Sequence, residues 1–245
     1  MIKAILFDMD DTLLSINLTA FVARYGLSIG ELLADISGLA RPVVYHAYIR
    51  AQLDMSSLVR DDELTNEAYF NQRFEELCGV PLADPTIAAA VECYEREVVP
   101  RMGGGIVQAR PRPGSHAIID QCHDLGLRVA LATNPSFTKT AIKARINWAG
   151  FDMTDFENVS HMGNSTRVKP AARYYREFCD QLGVAPEECL MVGNDAWRDF
   201  PDPDIGMPTA YVGHVWPERA VWRGGLRELS RELPLLLDCL NDGSL

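Results

Sequence analysis

The stretch Ile2-Lys3-Ala4-Ile5-Leu6-Phe7-Asp8-Met9-Asp10-Asp11-Thr12 decides how the chain folds. Its short apolar run, broken only by Lys3, reads as a strand buried on both faces, as in parallel α/β sheets. Open α/β sheets bind ligands beyond the carboxyl ends of their strands, where Asp8 and Asp10 emerge. Two residues apart on an extended backbone, these carboxylates point the same way. They repel each other, a cost that a divalent cation such as Mg²⁺ offsets. Alone, the cluster can also be read as a solvated acidic turn capping a helix.

The rest of the chain sets bounds. Its 245 residues, 47% hydrophobic, suffice for one large core or for a core plus a smaller domain. A net charge of −11 argues against nucleic-acid and anionic-membrane partners. The six cysteines are widely spaced, with no Cys-x-x-Cys pair. Buried free thiols in a reducing cytoplasm are therefore expected, rather than disulfides or a zinc site. The acidic cluster falls where a signal peptide needs its apolar centre, and no run reaches the length of a membrane span. A soluble, cytoplasmic protein is the expectation.

From Leu13 to about Gly105 only helical periodicity is visible, over Thr19–Tyr25, Val43–Leu53, Glu67–Cys78 and Ile87–Val98. Asp84 is placed to cap the last of these. The apolar stripes suggest an inserted helical domain with its own core, joined back through Gly103-Gly104-Gly105 and Pro111-Arg112-Pro113-Gly114, a flexible and then a stiff connector. Beyond it α/β alternation resumes. Helices are expected at Ser115–Leu125, Thr138–Ala149, Pro170–Leu182 (proline in the first turn) and about Leu226–Leu240, the last interrupted by Pro234. Strands are expected at Arg128–Ala132, Cys189–Val192 and Thr209–Val212, with a weak one near Asn158–Ser160.

Four features stand in order along this frame: Asp8-x-Asp10-x-Thr12; the strand end Thr133-Asn134; Lys169-Pro170 at a helix start; and the strand end Gly193-Asn194-Asp195 followed by Asp199. Each has a plain structural alternative: a helix cap at Thr133-Asn134, a solvated lysine, a polar loop after a strand. In order and in context they resemble the motifs of the haloacid-dehalogenase-like (HAD) hydrolase superfamily, over residues 1–14 and about 107–215. One departure stands out. The commonest family form has Asp directly after the motif-four glycine, where this chain has Asn194.

The resemblance implies an α/β fold: a Rossmann-like parallel-sheet core over 1–14 and 107–245, with a helical cap inserted at 15–106. It implies that Asp8 is a nucleophile forming an aspartyl-phosphate, and that Asp10 is acid and then base. It implies that Thr133, Asn134 and Lys169 bind phosphate. Mg²⁺ would be held among Asp8, Asp10, Asn194, Asp195 and Asp199, with Asn194 favoured in the usual ligand position. The expected function is Mg²⁺-dependent hydrolysis of a small phosphorylated metabolite by a monomer or homodimer. A phosphosugar mutase and a non-catalytic binding protein on the same scaffold are the alternatives. Arg24, Arg41, His46, Arg50, Arg60 and Arg73 in the insertion are each possible, though individually weak, contacts for an anionic substrate.

Overall fold

The computed structural model describes residues 1–215 and 217–244. Strand β1 (Ala4–Phe7) lies at the interior of a five-stranded parallel sheet, between β4 (Arg128–Leu131) and β5 (Cys189–Gly193). The sheet continues from β5 to β6 (Thr209–Tyr211) and then β7 (Trp222–Arg223), giving the order β4-β1-β5-β6-β7. Both faces are covered, as the continuous apolar run of β1 demands. Ile5, Phe7, Val129, Leu131, Leu190 and Val192 belong to one hydrophobic cluster. Their alternating neighbours Ala4, Leu6, Ala130, Ala132, Cys189 and Met191 belong to a second, with Tyr174, Tyr175 and Phe178 of α7 (Ala172–Leu182).

Helices α5 (Ser115–Asp124), α6 (Lys139–Trp148) and α8 (Leu226–Asp242) contribute to the first cluster. Four further helices, α1 (Leu18–Ser37), α2 (Arg41–Met55), α3 (Asn66–Cys78) and α4 (Pro85–Val98), lie between two short antiparallel strands, β2 (Leu14–Ser15) and β3 (Arg110–Pro111). Asp84 caps α4 by accepting from the N–H groups of Thr86 and Ile87. No described helix is long and apolar enough to cross a membrane. All six cysteines are free thiols, Cys179 and Cys189 lying 3.8 Å apart at sulfur.

Several expectations are corrected. The insertion has no separate core: Phe21, Tyr25, Phe70 and Phe74 share one cluster with Ile118, Val129 and Ile142. The ribbon β2–β3 and the edge strand β7, two residues each, are too short for any periodicity to announce. The segment near Asn158–Ser160 contributes one bridge, between Val159 and Leu131, and is not a strand. Helix α7 begins at Ala172, since Lys169-Pro170 sits in a preceding turn closed by Ala171 N–H donating to the Val168 carbonyl at 3.0 Å. Pro234 lies inside α8 without ending it.

The glycine-rich connector is also not a loose hinge. Residues Val99–Gly103 and Gly105–Val107 form 3₁₀ turns, and a Cβ on Gly103 would stand 2.8 Å from the Trp148 indole. That ring is held in turn by its N–H bond to the Pro100 carbonyl at 3.0 Å. Gly103→Ala is therefore expected to lower stability by about 1–3 kcal/mol, the usual cost of overpacking, read as a lower denaturation midpoint. An unchanged midpoint would show that the connector yields.

Candidate active site

Parallel register gathers the motifs. Phe7 pairs with Leu131 on one side and Val192 on the other, and the ladder runs one residue further. Asp8 N–H donates to the Val192 carbonyl at 2.9 Å, and Ala132 N–H donates to the Phe7 carbonyl at 2.8 Å. Asp8, Thr133 and Asn194 therefore leave the sheet at one edge, where the chain order of neighbouring strands changes direction. After Asp8 the backbone turns sharply, with Asp11 in the left-handed region at φ 53°, a conformation Asp tolerates better than most residues.

Lys169 is the centre of the site. Its ammonium, almost fully buried, donates to Asp8 Oδ1 at 2.9 Å and to Asp199 Oδ1 at 2.7 Å. Burial alone draws the lysine pKa downward, but the facing Asp199 and Asp8 carboxylates outweigh it and hold the ammonium well above its ordinary value. Burial pushes Asp199 up to about 6 and Asp8 upward, against the pull of Lys169; Asp10 adds to the rise at Asp8. The other Asp199 oxygen accepts the Asp195 backbone N–H at 2.9 Å. Gly193 makes this possible, because a Cβ there would overlap the Asp199 carboxylate.

The motif-four residues divide their work. Asn194 Oδ1 accepts from the Thr12 hydroxyl at 2.9 Å, and that hydroxyl lies 3.4 Å from Asp8 Oδ2. Asp195 faces its own loop, its carboxylate accepting from the Trp197 and Arg198 N–H groups at 2.9 Å and from the Arg198 guanidinium at 3.2 Å. Burial works against that carboxylate, but these backbone donors hold it below its usual pKa range. Among the described residues no group of three or more His, Cys, Asp or Glu side chains forms a metal cluster. The oxygens that converge on the Thr12 hydroxyl are the Asp8 carboxylate and the Asn194 amide. Such a hard, charge-poor oxygen set fits Mg²⁺, which takes few protein ligands and completes its shell with water and phosphate.

Asn134 accepts from Lys169 N–H at 3.2 Å and donates to Ser136 Oγ at 2.8 Å. The Thr133 hydroxyl is buried with no partner among the described residues, while its carbonyl accepts from Ser160 and Tyr174 at 2.6 and 3.0 Å. An unpartnered buried hydroxyl is costly unless a ligand uses it.

Arg145 is the residue that motif reading missed. It extends from α6, almost fully buried, and its guanidinium pairs with Asp10 Oδ2. The rings of Phe137 and Phe21 lie 4.8 and 5.3 Å from it. Asp10 Oδ1 and Arg145 Nε are buried without a partner. A signal was present, since Arg145 follows Ala141 and Ile142 at helical spacing and so occupies the apolar face of α6. The insertion residues singled out as substrate contacts do not line the cavity. Arg41, Arg50, Arg60 and Arg73 pair with Glu31, Asp54, Asp62 and Asp54, Arg24 donates to the Met102 carbonyl, and His46 is exposed.

A cavity of about 490 Å³ opens above Asp8, Asp10, Lys169, Asn134 and Asn194 and is roofed by α1 and α2. An apolar cleft with a few converging charged groups at its floor is the usual form of an enzyme site.

The chain belongs to the haloacid dehalogenase-like hydrolase family, whose model matches residues 2–201. It is 30% identical over 139 residues to a Bacillus subtilis (strain 168) protein named "Putative phosphatase YhcW"; the match covers 54% of this chain and 60% of that relative. In fold it resembles a HAD phosphatase from Thermococcus onnurineus (TM-score 0.57, 19% identity, 95% of this chain and 98% of that one). It also resembles CbbY from Rhodobacter sphaeroides in complex with xylulose-(1,5)bisphosphate (TM-score 0.56, 18% identity, 94% and 96%). The L-2-haloacid dehalogenase of Xanthobacter autotrophicus is a further structural relative (TM-score 0.53, 16% identity, 96% and 99%).

Removing the central cation leaves two buried carboxylates uncompensated. Lys169→Met is expected to cost about 3–5 kcal/mol, the range for breaking a buried pair. Without the ammonium, Asp8 and Asp199 bind protons more tightly folded than unfolded, so stability falls as pH rises. Denaturation of variant and wild type at pH 5 and pH 8 should therefore show the larger loss at pH 8. Equal losses would contradict the charge account.

Proposed function

We propose that this hydrolase cleaves small phosphomonoesters with Mg²⁺, through an aspartyl-phosphate on Asp8. One observation carries the reading: Asp8 stands at a strand tip with a buried ammonium 2.9 Å away, beside a second aspartate whose free oxygen has no protein partner. In this reading Asp8 attacks phosphorus in line, forming the Asp8–phosphorus bond as the ester oxygen leaves. Asp10 gives its proton to that oxygen. Water then attacks the aspartyl-phosphate, passes its proton to Asp10 and releases phosphate and Asp8. Lys169, Asn134 and the spare Thr133 hydroxyl hold the phosphoryl oxygens, so that catalysis rests on positioning and charge. Asp8, the Asp10 backbone carbonyl and Asn194 would hold Mg²⁺, with Asp195 and Asp199 acting as partners of the loop and of Lys169. Bound there, the ion supplies charge neutralisation that lets an anionic nucleophile approach an anionic ester. The inserted helices, of which α1 and α2 roof the cavity, would serve as the cap, excluding water.

Asp8→Asn should abolish phosphate release from a phosphomonoester panel assayed with and without Mg²⁺, while denaturation midpoints hold or rise as carboxylate repulsion is relieved. Turnover at the wild-type rate in this variant would overturn the covalent mechanism.

Arg145 acts in this scheme as a positioning residue. By occupying Asp10 Oδ2 it leaves Oδ1 for proton exchange. Arg145→Lys should keep the pair's charge but lose the ring-clamped fork, lowering kcat on the order of 10²-fold, the lower range of general-acid effects, with a smaller change in KM. The loss should be larger for an alkyl phosphate than for p-nitrophenyl phosphate, whose leaving group needs no proton. Equal losses for the two esters would assign Arg145 a purely structural part.

A further inference from the structure

The cavity is asymmetric in chemistry. Its floor carries the charged groups described above, whereas the roof is built from Leu18 and Val22 of α1, Ile49 and Leu53 of α2, and Phe137. Three cations reach the cavity among the described residues, and each already has a carboxylate. Lys169 serves Asp8 and Asp199, Arg145 serves Asp10, and Arg198 serves Asp195. A second phosphate or a carboxylate on the substrate would lose its hydration against this roof, and with Lys169 holding the first phosphate and Arg145 held by Asp10, only the half-exposed Arg198, already paired with Asp195, stands near it.

Two of the neutral polar groups of the wall are also engaged. The Tyr25 hydroxyl bonds to the buried carboxylate of Glu95. Gln52 Nε2 donates to the Ser136 carbonyl at 3.3 Å and to Tyr48 Oη at 3.4 Å. A polyhydroxylated sugar would thus leave unpaired those hydroxyls that face the apolar roof, the kind of mismatch that costs an enzyme most. Meanwhile Val22 and Leu53, at 43% and 61% exposed, offer apolar surface to solvent beside the same cavity. A volume of about 490 Å³ is ample for a medium-sized organic group.

We infer that the preferred substrates are monophosphate esters of uncharged, apolar-bodied alcohols, alkyl or aryl, and that sugar phosphates and bisphosphates are selected against. The inference rests on the phosphatase reading given above. The roof takes the leaving group by burying its hydrocarbon, and, carrying no cation of its own, it rejects a second anion.

The test uses three primary alkyl esters with comparable leaving groups, so that the wall rather than the chemistry is measured: n-hexyl phosphate, glucose 6-phosphate and fructose 1,6-bisphosphate. With the full-length protein and Mg²⁺, kcat/KM for hexyl phosphate should exceed that for glucose 6-phosphate on the order of tenfold or more, and for the bisphosphate by more again. In Leu53→Arg, a change at an exposed position, the ratio of bisphosphate to hexyl phosphate should rise on the order of tenfold. Turnover of all three esters with sugar phosphate or bisphosphate preferred overturns the inference and leaves the phosphatase reading standing. A ratio unmoved in Leu53→Arg overturns the role of the roof. Release of phosphate from none of the three overturns the phosphatase reading and the inference with it.

Discussion

The buried ammonium of Lys169 between Asp8 and Asp199 is the interaction on which the rest of the structure depends. Two carboxylates and a lysine taken out of water each carry a desolvation cost of several kcal/mol, and only close mutual placement offsets it. That requirement reaches outward through the fold. It needs β1 and β5 adjacent and parallel, so that Asp8 and the Gly193 loop share an edge. A residue without a side chain is needed at Gly193, where the Asp199 carboxylate turns inward. Lys169 N–H, meanwhile, is held by Asn134 at the tip of β4. Three strand tips and one turn are thus bound into a single charge-balanced unit.

A second buried pair, Arg145 with Asp10, ties this unit to the inserted helices. Its guanidinium rests near Phe137 of the main unit and Phe21 of α1. Two further polar groups bind the same seam. Asn66 at the start of α3 donates to the carbonyls of Pro135 and Arg167 at 3.2 and 3.1 Å. Glu95 of α4 accepts from Thr138, the N-cap of α6, at 2.6 Å, and burial pushes its pKa up. Because the apolar cluster is also continuous across the seam, the insertion is packed as part of the body.

Relatives of this fold include phosphatases and a haloacid dehalogenase. The fold therefore cannot decide the chemistry, which belongs to the site. The proposed phosphoryl chemistry rests on Asp10, two residues after Asp8, and on the spare hydroxyl of Thr133. Around the Thr12 hydroxyl stand the Asp8 carboxylate and the uncharged Asn194 amide, while the Asp195 carboxylate accepts from its own loop and from Arg198.

The frame was legible in local patterns: the apolar strand ending in Asp8, the order of the four motifs, and most helices to within a few residues, since burial on both sheet faces and helical periodicity leave their mark on neighbouring residues. Lys169 and the aspartates were legible because their spacing relative to strand ends repeats a family pattern. Tertiary structure alone decided what those groups face. That Asp199 belongs to Lys169 and that Arg145 reaches Asp10 across 135 residues of chain depend on packing between distant segments. No local pattern encodes such meetings, because a buried charge is tolerated only where a distant partner happens to arrive. The short strands β2, β3 and β7 were invisible for a related reason. Two residues carry no period, and they form ladders only because the surrounding fold brings partners alongside.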